Sequence, residues 1–417
     1  MGEFIKMALG NLRRNKRRTV LTGIAICCGA FVLTFGGAYG DGIERQLVAA
    51  TIAGDTGHIS ITTRTSKKTE QEELMSNVTK WKEQLIADPG QVQEYLRRRR
   101  DVQTVCPRVN LNGMLSNGQK LERLFLVAVV PELETDLFQK VVPVDRGKLL
   151  QEGDAFPGIY ISRTFARSFR VQCGDSLTVM AQTLEGSANT MDVVVKGIFK
   201  KGALWRENYA YIRLADARQL AQIGNGVTQF KVILKAERDA KSIAAQIRRH
   251  FDSRRRLSVK DWEVAAGLFL GVVMINRIAV YLLSLVLFIV SMAGIVNTML
   301  MAVHERTREI GTMLALGTKR AQITGLFVGE ALLLSMAAAG LGVFVASSLA
   351  FWLGRAGIPA FNEAMSYMYG SSRTFPYLTL GNVLRSYLLV VGLTTMAALY
   401  PAVTAAGMQP VAALKTV

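Results

Sequence analysis

The residue types that carry most enzyme chemistry are sparse in this sequence. The three histidines, His58, His250 and His304, stand far apart, and no H-E-x-x-H pair is present to hold a catalytic zinc. No G-x-S-x-G elbow occurs, and no G-x-x-x-x-G-K-[ST] loop is present to cradle the phosphates of ATP. The chain is therefore read as a non-enzyme that binds no metal or cofactor itself. The chemistry that remains is recognition, and it concentrates in Val303-His-Glu-Arg-Thr-Arg-Glu-Ile-Gly-Thr-Met-Leu-Ala-Leu-Gly-Thr-Lys-Arg320. On a helix, Ile310, Met313 and Leu314 fall at i, i+3 and i+4 and form one apolar stripe. Glu305, Arg306, Arg308 and Glu309 alternate in sign beside it. A helix lying on lipid headgroups has a longer apolar face and a basic rim. Mixed signs around a short stripe fit a groove in another protein better. Gly317 is placed to stop the helix.

The elements that must hold this segment are apolar. The chain has 417 residues, a formal net charge of +18 and 50% hydrophobic residues. Mean hydropathy is +0.24, although 20% of the residues are charged. Both values hold together only if the apolar residues are clustered. Four windows contain them: Thr19 to Gly40, Ile278 to Val303, Ala331 to Gly354 and Ser386 to Gly407. Each is close to the roughly 20 residues needed to cross roughly 30 Å of hydrocarbon. The first is too long for a signal-peptide core and reads as a retained helix. Lys6, Arg13, Arg14, Lys16, Arg17 and Arg18 precede it, and Arg306, Arg308, Lys319 and Arg320 lie between the second and third. Cytoplasmic loops are enriched in such residues, so both termini and this short loop are expected inside. This signal also explains much of the basic excess, some of which can meet anionic lipid; no nucleic-acid motif accompanies it.

The expected order is a cytoplasmic amphipathic segment over 1–18 and a first span over 19–40, followed by an extracytoplasmic domain over 41–270. A second span with its stalk covers 271–303 and a cytoplasmic coupling helix 304–320. The third span covers 321–354, an outer loop 355–382, the fourth span 383–407 and a cytoplasmic tail 408–417. In the large segment, β-rich runs occur at 58–62, 124–130, 158–162, 177–181, 191–199, 209–212 and 230–234. Helical stretches lie at 91–100, 163–169, 215–223 and 240–251. Asn117-Gly118, Gly174-Asp175 and Gly224-Asn225-Gly226 are turn signals. The class is a mixed α/β or α+β domain inserted into a polytopic α-helical membrane protein. Thr63 to Pro89 has weak periodicity and reads as a mobile loop with one helix. Arg97 to Arg100 and Arg254 to Arg256 read as solvated faces or linkers, and the sequon Asn77-Val-Thr79 is discounted as a chance match. Cys106 and Cys173 could pair in an oxidising compartment, but nothing in their spacing decides it. Gly36-x-x-x-Gly40 and Gly325-x-x-x-Gly329 permit close helix approach.

His304-Glu-Arg-Thr-Arg-Glu-Ile-Gly311, Leu314-Ala-Leu-Gly317 and Phe327-Val-Gly-Glu-Ala331 resemble the FtsX/MacB-type ABC transporter permeases. So do the lead-in Gly10-Asn-Leu-Arg-Arg-Asn-Lys-Arg-Arg-Thr-Val-Leu-Thr22 and the close Tyr400-Pro-Ala-Val-Thr-Ala-Ala406 with Gln409-Pro-Val-Ala-Ala-Leu414. Val105-Cys-Pro-Arg-Val109, Gly158-Ile-Tyr-Ile-Ser162, Gly174-Asp-Ser-Leu177 and Val193-Val-Val-Lys-Gly-Ile-Phe199 look like that family's MacB-like periplasmic core domain. Gly40-Asp-Gly-Ile-Glu-Arg-Gln-Leu47 and Thr56-Gly-His-Ile-Ser-Ile61 are similar to the lipoprotein-releasing LolC/LolE-type branch.

The resemblance implies a permease in the bacterial inner membrane with its large domain in the periplasm. Two copies of a separate ATPase would bind ATP and Mg, and a second permease, the same chain or a paralogue, would complete the membrane part. The coupling helix would seat in the ATPase, with Ile310, Met313 and Leu314 as anchors and Glu305, Arg306, Arg308 and Glu309 as orienting charges. The second span would run unbroken into that contact as a lever. Lipoprotein cargo would pass between spans one and two, with Phe31, Phe35, Tyr39, Met274 and Tyr281 as candidate walls, on its way to a periplasmic chaperone. The alternatives are a MacB-like subunit driving export through a periplasmic adaptor, and a non-transporting FtsX-like regulator of a cell-wall hydrolase.

Overall fold

The computed structural model describes residues 16–64, 81–200, 208–251, 257–265, 267–360 and 373–408. The start of the N-terminal basic segment, the sequon at Asn77, most of the Thr63 to Pro89 stretch, the run Arg254 to Arg256 and nearly all of the tail lie outside them. The chain divides into two units. One is helical and draws on Met1–Glu44, Val272–Pro359 and Arg373–Val417; the other contains a sheet and draws on Arg45–Gly271 and Ala360–Ser372.

Helix α1 (Lys16–Thr51) is longer than its apolar window. Beyond Gly40 the sequence still supplies buried apolar residues at a helical interval, Ile43 and Leu47. At about 1.5 Å per residue its 36 residues extend about 54 Å, well beyond a hydrocarbon layer. It ends in a π-helical turn, Ile52–Thr56, closed where Gly57 takes a φ of 64° and donates its N–H to Ile52 O at 3.0 Å.

The sheet unit follows: β1 (Ile59–Thr63), α2 (Pro89–Arg97), β2 (Val102–Ser116), β3 (Leu121–Val129), β4 (Val144–Gly147), β5 (Gly158–Ser162), α3 (Arg163–Phe169), β6 (Ser176–Gln182), β7 (Ala188–Phe199), β8 (Tyr209–Arg213), α4 (Leu214–Ala221), β9 (Gln229–Leu234), α5 (Ala240–Phe251) and β10 (Leu257–Asp261). The strand order is β10-β1-β9-β2-β3-β8-β5-β7-β4, with β6 added against β2 and β7. Pairs β3–β8 and β5–β7 are parallel and the others antiparallel. The long strand β2 joins two cores. Its first half pairs with β9 and its second with β3 and β6. One core gathers Val109, Leu126, Ile161, Phe165 and Leu220; the other gathers Ile59, Val92, Phe230, Ile247 and Val259. The turn glycines Gly118, Gly174 and Gly224 all have positive φ. Cys106 and Cys173 are free thiols, the first buried with its Sγ 3.2 Å from Leu133 O, the second exposed.

The helical unit is completed by α6 (Gly267–Glu305), α7 (Thr307–Ala315), α8 (Arg320–Ala356) and α9 (Leu380–Ala406). With α1, the three long helices make four that are long and apolar enough to cross a membrane. Helices α8 and α9 bury residues at four-residue intervals: Ile323, Phe327, Ala331 and Ser335 on one, Ser386, Val390, Thr394, Ala398 and Ala402 on the other. Rows of that spacing on both helices interdigitate as ridges in grooves. Of the glycines expected to permit close approach, Gly36 does so: a Cβ there would stand 2.6 Å from Val280 Cγ1. Within this chain nothing stands within 4 Å of a Cβ built at Gly40, Gly325 or Gly329. Helices α1 and α8 come close at Gly342, where a Cβ would collide with Cys27 O.

Candidate functional site

Three constellations can move or hold something. The first is the elbow between α6 and α8. The sequence leads one to expect the second span to run unbroken into it; instead α6 ends at Glu305. Arg306 leaves the helix (φ −111°, ψ 15°), and the chain turns there before α7 begins. The Thr307 hydroxyl donates back to Val303 O at 3.1 Å and His304 O at 2.9 Å, competing with regular helix bonding. At its far end α7 closes on Gly317, with Thr318 N bonded to Met313 O and Gly317 N to Leu314 O, both near 3 Å. Those two bonds form a Schellman stop, which needs the φ of 91° that Gly317 adopts.

The faces of α7 also differ from expectation. Ile310 is only 3% exposed and belongs to the apolar cluster of Ile323, Phe327, Ala402 and Ala406. Leu314 packs against the same cluster, and Met313 is half-buried. Arg306 is buried as well, its Nη1 4.0 Å from Glu330 Oε2 on α8. In this chain Ile310 and Arg306 are packed against its own helices α8 and α9. Glu305, Arg308, Glu309 and Thr312 lie outward, joined by Leu316, which is 87% exposed. A leucine just before a glycine stop was the signal available in the sequence.

The second constellation is a cavity of about 450 Å³ within the helical unit. Gly36, Gly37 and Asp41 of α1, Arg277, Val280 and Tyr281 of α6, and Asn382 and Arg385 of α9 line it. Gly37 lets α9 approach, since a Cβ there would stand 2.5 Å from Asn382 Nδ2. Arg277 bridges to Glu44 at 2.7 Å and Asp41 at 3.6 Å. Thr379 caps α9 by accepting from Asn382 N, while Asn382 Nδ2 is buried with no protein acceptor. Of the expected wall residues, only Tyr281 lines this space. Phe31 and Phe35 stack on each other at 5.6 Å along α1, Tyr39 is half-buried, and Met274 is 64% exposed. The sequence reading missed the polar members Arg277, Asn382 and Arg385. Arg385 lies just before the fourth apolar window but inside the span assigned to 383–407, where a charge marks a polar cavity or partner.

The third constellation lies in the sheet unit and is fully buried. Glu134 accepts from Arg108 Nε at 2.5 Å and from Lys231 Nζ at 2.6 Å. The same cations reach the π-helical turn that ends α1: Arg108 Nη1 to Gly54 O at 2.7 Å, and Lys231 Nζ to Ala53 O at 2.5 Å. Gln229 Nε2 adds a bond to Asp55 O at 2.8 Å. Burial alone would raise the Glu134 pKa; Arg108 and Lys231 overcome it and hold the carboxyl below the ordinary carboxylate value. Burial, with Arg108 adding to it, lowers the Lys231 ammonium. Burial, and Glu134 nearby, push the neighbouring Cys106 thiol up to about 12. The sequence offered no pattern for this cluster, because its members come from three distant segments.

The comparisons with known proteins match this architecture. The MacB-like periplasmic core domain family matches residues 19–250, more than half of the chain, and the FtsX-like permease C-terminal family matches 281–410. The lipoprotein-releasing system transmembrane protein LolE of Haemophilus influenzae is 22% identical over 95% of this chain and 93% of its own length. The LolC protein of Neisseria meningitidis is 22% identical over 77% of this chain and 80% of its own. The macrolide export ATP-binding/permease protein MacB of Rhodopseudomonas palustris is 30% identical over 32% of this chain and 18% of its own.

Proposed function

Because the chain belongs to the FtsX/MacB family of ABC transporter permeases, multi-pass in the inner membrane with a periplasmic domain, we propose that its cargo is a lipoprotein, extracted toward the outer membrane. The observation that carries this reading is the cavity among α1, α6 and α9. It joins small and apolar walls at Gly36, Gly37 and Val280 to polar groups at Arg277, Asn382 and Arg385. Such a space suits an amphipathic ligand, with acyl chain against the apolar helix faces and head by the arginines. Similarity to LolE along nearly the whole chain supports the same cargo class.

The drive comes from outside the chain. Two copies of an ATPase subunit bind ATP and Mg, and each meets an α7 elbow through Leu316, Arg308 and Glu309. Arg306 and Glu330 fasten that elbow to α8, so a push on α7 is delivered to the helical unit rather than absorbed by a loose loop. A second permease pairs along the apolar face of α6, where Leu282, Leu285, Val286 and Ile289 are exposed. At the other end, the carbonyls of the π-helical turn are held by Arg108, Lys231 and Gln229, so displacement of the end of α1 is passed to β2 and β9. A soluble periplasmic carrier receives the cargo.

Gentle-detergent purification of the chain with its ATPase, followed by mass spectrometry, tests the cargo. Acylated protein is expected in wild type and reduced in Arg385→Glu. Recovery of a periplasmic adaptor and no acylated protein would favour peptide or small-molecule export, the reading to which the local MacB similarity points.

A further inference from the structure

One face of α3 is made of arginines. Phe165, Ala166 and Phe169 turn into the core, while Arg163, Arg167 and Arg170 follow one another at i, i+4 and i+7. Arg170 ends the helix in the left-handed conformation, φ 56°, a position usually held by glycine or asparagine. Edge strand β4 adds Arg146, and the four arginines, with Gln172, line a concave pocket of about 470 Å³ beside Ala166, Val171 and Ile198. One carboxylate, Asp145, stands among them and accepts from Arg163 Nε at 2.9 Å. The bond from Arg163 first, with the fields of Arg163, Lys200 and Arg146, holds the Asp145 pKa below its ordinary value against burial. Among the described residues, Arg146, Arg167 and Arg170 have no ion-pair partner.

A face that serves only solubility intersperses both signs. Here four residues of one type converge on one hollow. The planar guanidinium fork matches two oxygens of a tetrahedral anion, which the point charge of lysine does not. A hollow of this volume admits a small anion or a single headgroup, not the flat face of a protein. We propose that this pocket binds a phosphate group, presented either by a free phosphate or by a phospholipid headgroup. The cavity among the membrane helices and the elbow play no part in it, so it stands or falls apart from the transport reading.

The full chain in phosphatidylcholine nanodiscs is titrated calorimetrically with inorganic pyrophosphate and, separately, with dihexanoyl phosphatidic acid. Saturable binding is expected, weakened about tenfold or more in Arg167→Gln and in Arg170→Asn. Asparagine tolerates the left-handed backbone, so the second variant removes the charge and keeps the turn. Asp145→Asn removes the one repelling carboxylate and is expected to tighten binding. Tighter binding of the lipid supports a headgroup as the natural source; equal or tighter binding of pyrophosphate supports a free phosphate. Absence of saturable binding for both titrants overturns the proposal. So does an equal loss in Arg249→Gln, an exposed arginine on α5, because that marks a general charge effect.

Discussion

At the scale of single residues, the buried Arg108–Glu134–Lys231 cluster makes the clearest demand. Removing one charge from a buried set leaves the others uncompensated. Glu134→Gln is expected to destabilise the sheet unit by about 3–5 kcal/mol, read from denaturant unfolding of the reconstituted chain. The pH dependence follows from the lowered Glu134 pKa. The unfolded carboxyl takes up its proton first as pH falls, so this contribution is complete above the ordinary carboxylate range. It is lost as pH falls through that range to the lower folded value. Acid lability in wild type that persists unchanged in Glu134→Gln would refute the assignment. The outward residues of the elbow make a different demand. Leu316→Asp is expected to abolish ATPase co-purification while the chain stays folded in the membrane. Ile310→Asp buries a charge in the helical core and is expected to lose the fold itself, seen as rapid proteolysis. Equal, intact folding and normal ATPase binding in both variants would remove α7 from the docking surface.

At the scale of elements, α1, α6, α8 and α9 show how far pattern carries. Four long apolar runs were legible because a membrane span is a statement about composition, and the resulting helices need no partner to satisfy their backbones. Strands with β-branched runs, such as β5 and β9, were equally legible. Strand β2 was not, although it is the longest, because Pro107, Asn110, Asn112 and Gly113 interrupt its pattern. Its position between two cores, not its local preference, keeps it extended. The short strands β4 and β10 escaped for a related reason: pairing at the sheet's edges defines them. Helix faces were the least legible. Ile310, Met313 and Leu314 announced an apolar stripe, but no local rule says whether such a stripe meets another protein or its own bundle. Glycines divide in the same way. Gly342→Ile is expected to separate α8 from α1, because the added side chain meets Cys27 O, and exposure of Cys27 to a maleimide would report it. Gly325→Ala meets nothing and is expected to be neutral or to stabilise by up to about 1 kcal/mol in a thermal melt.

At the scale of the whole molecule, the division into a helical and a sheet unit matters most. Two continuous helices, α1 and α6, extend across that division, each longer than a hydrocarbon layer requires. We propose, from the basic flanks and an even number of spans, that both termini and the elbow lie in the cytoplasm. Single cysteines at Gln119 and Thr312, introduced into a chain with its native cysteines replaced, check this in whole cells. An impermeant maleimide is expected to label the first from the periplasm and the second only after lysis. The opposite pattern would invert the proposed path of force.

The burial of the Arg108–Glu134–Lys231 set has one more consequence. Mobile ions weaken exposed charge pairs beyond a screening distance of about 8 Å at physiological ionic strength, but they cannot enter a space sealed from solvent. The join between α1 and the sheet should therefore be indifferent to salinity. A cell in brine and a cell in fresh water would find the same grip at this point.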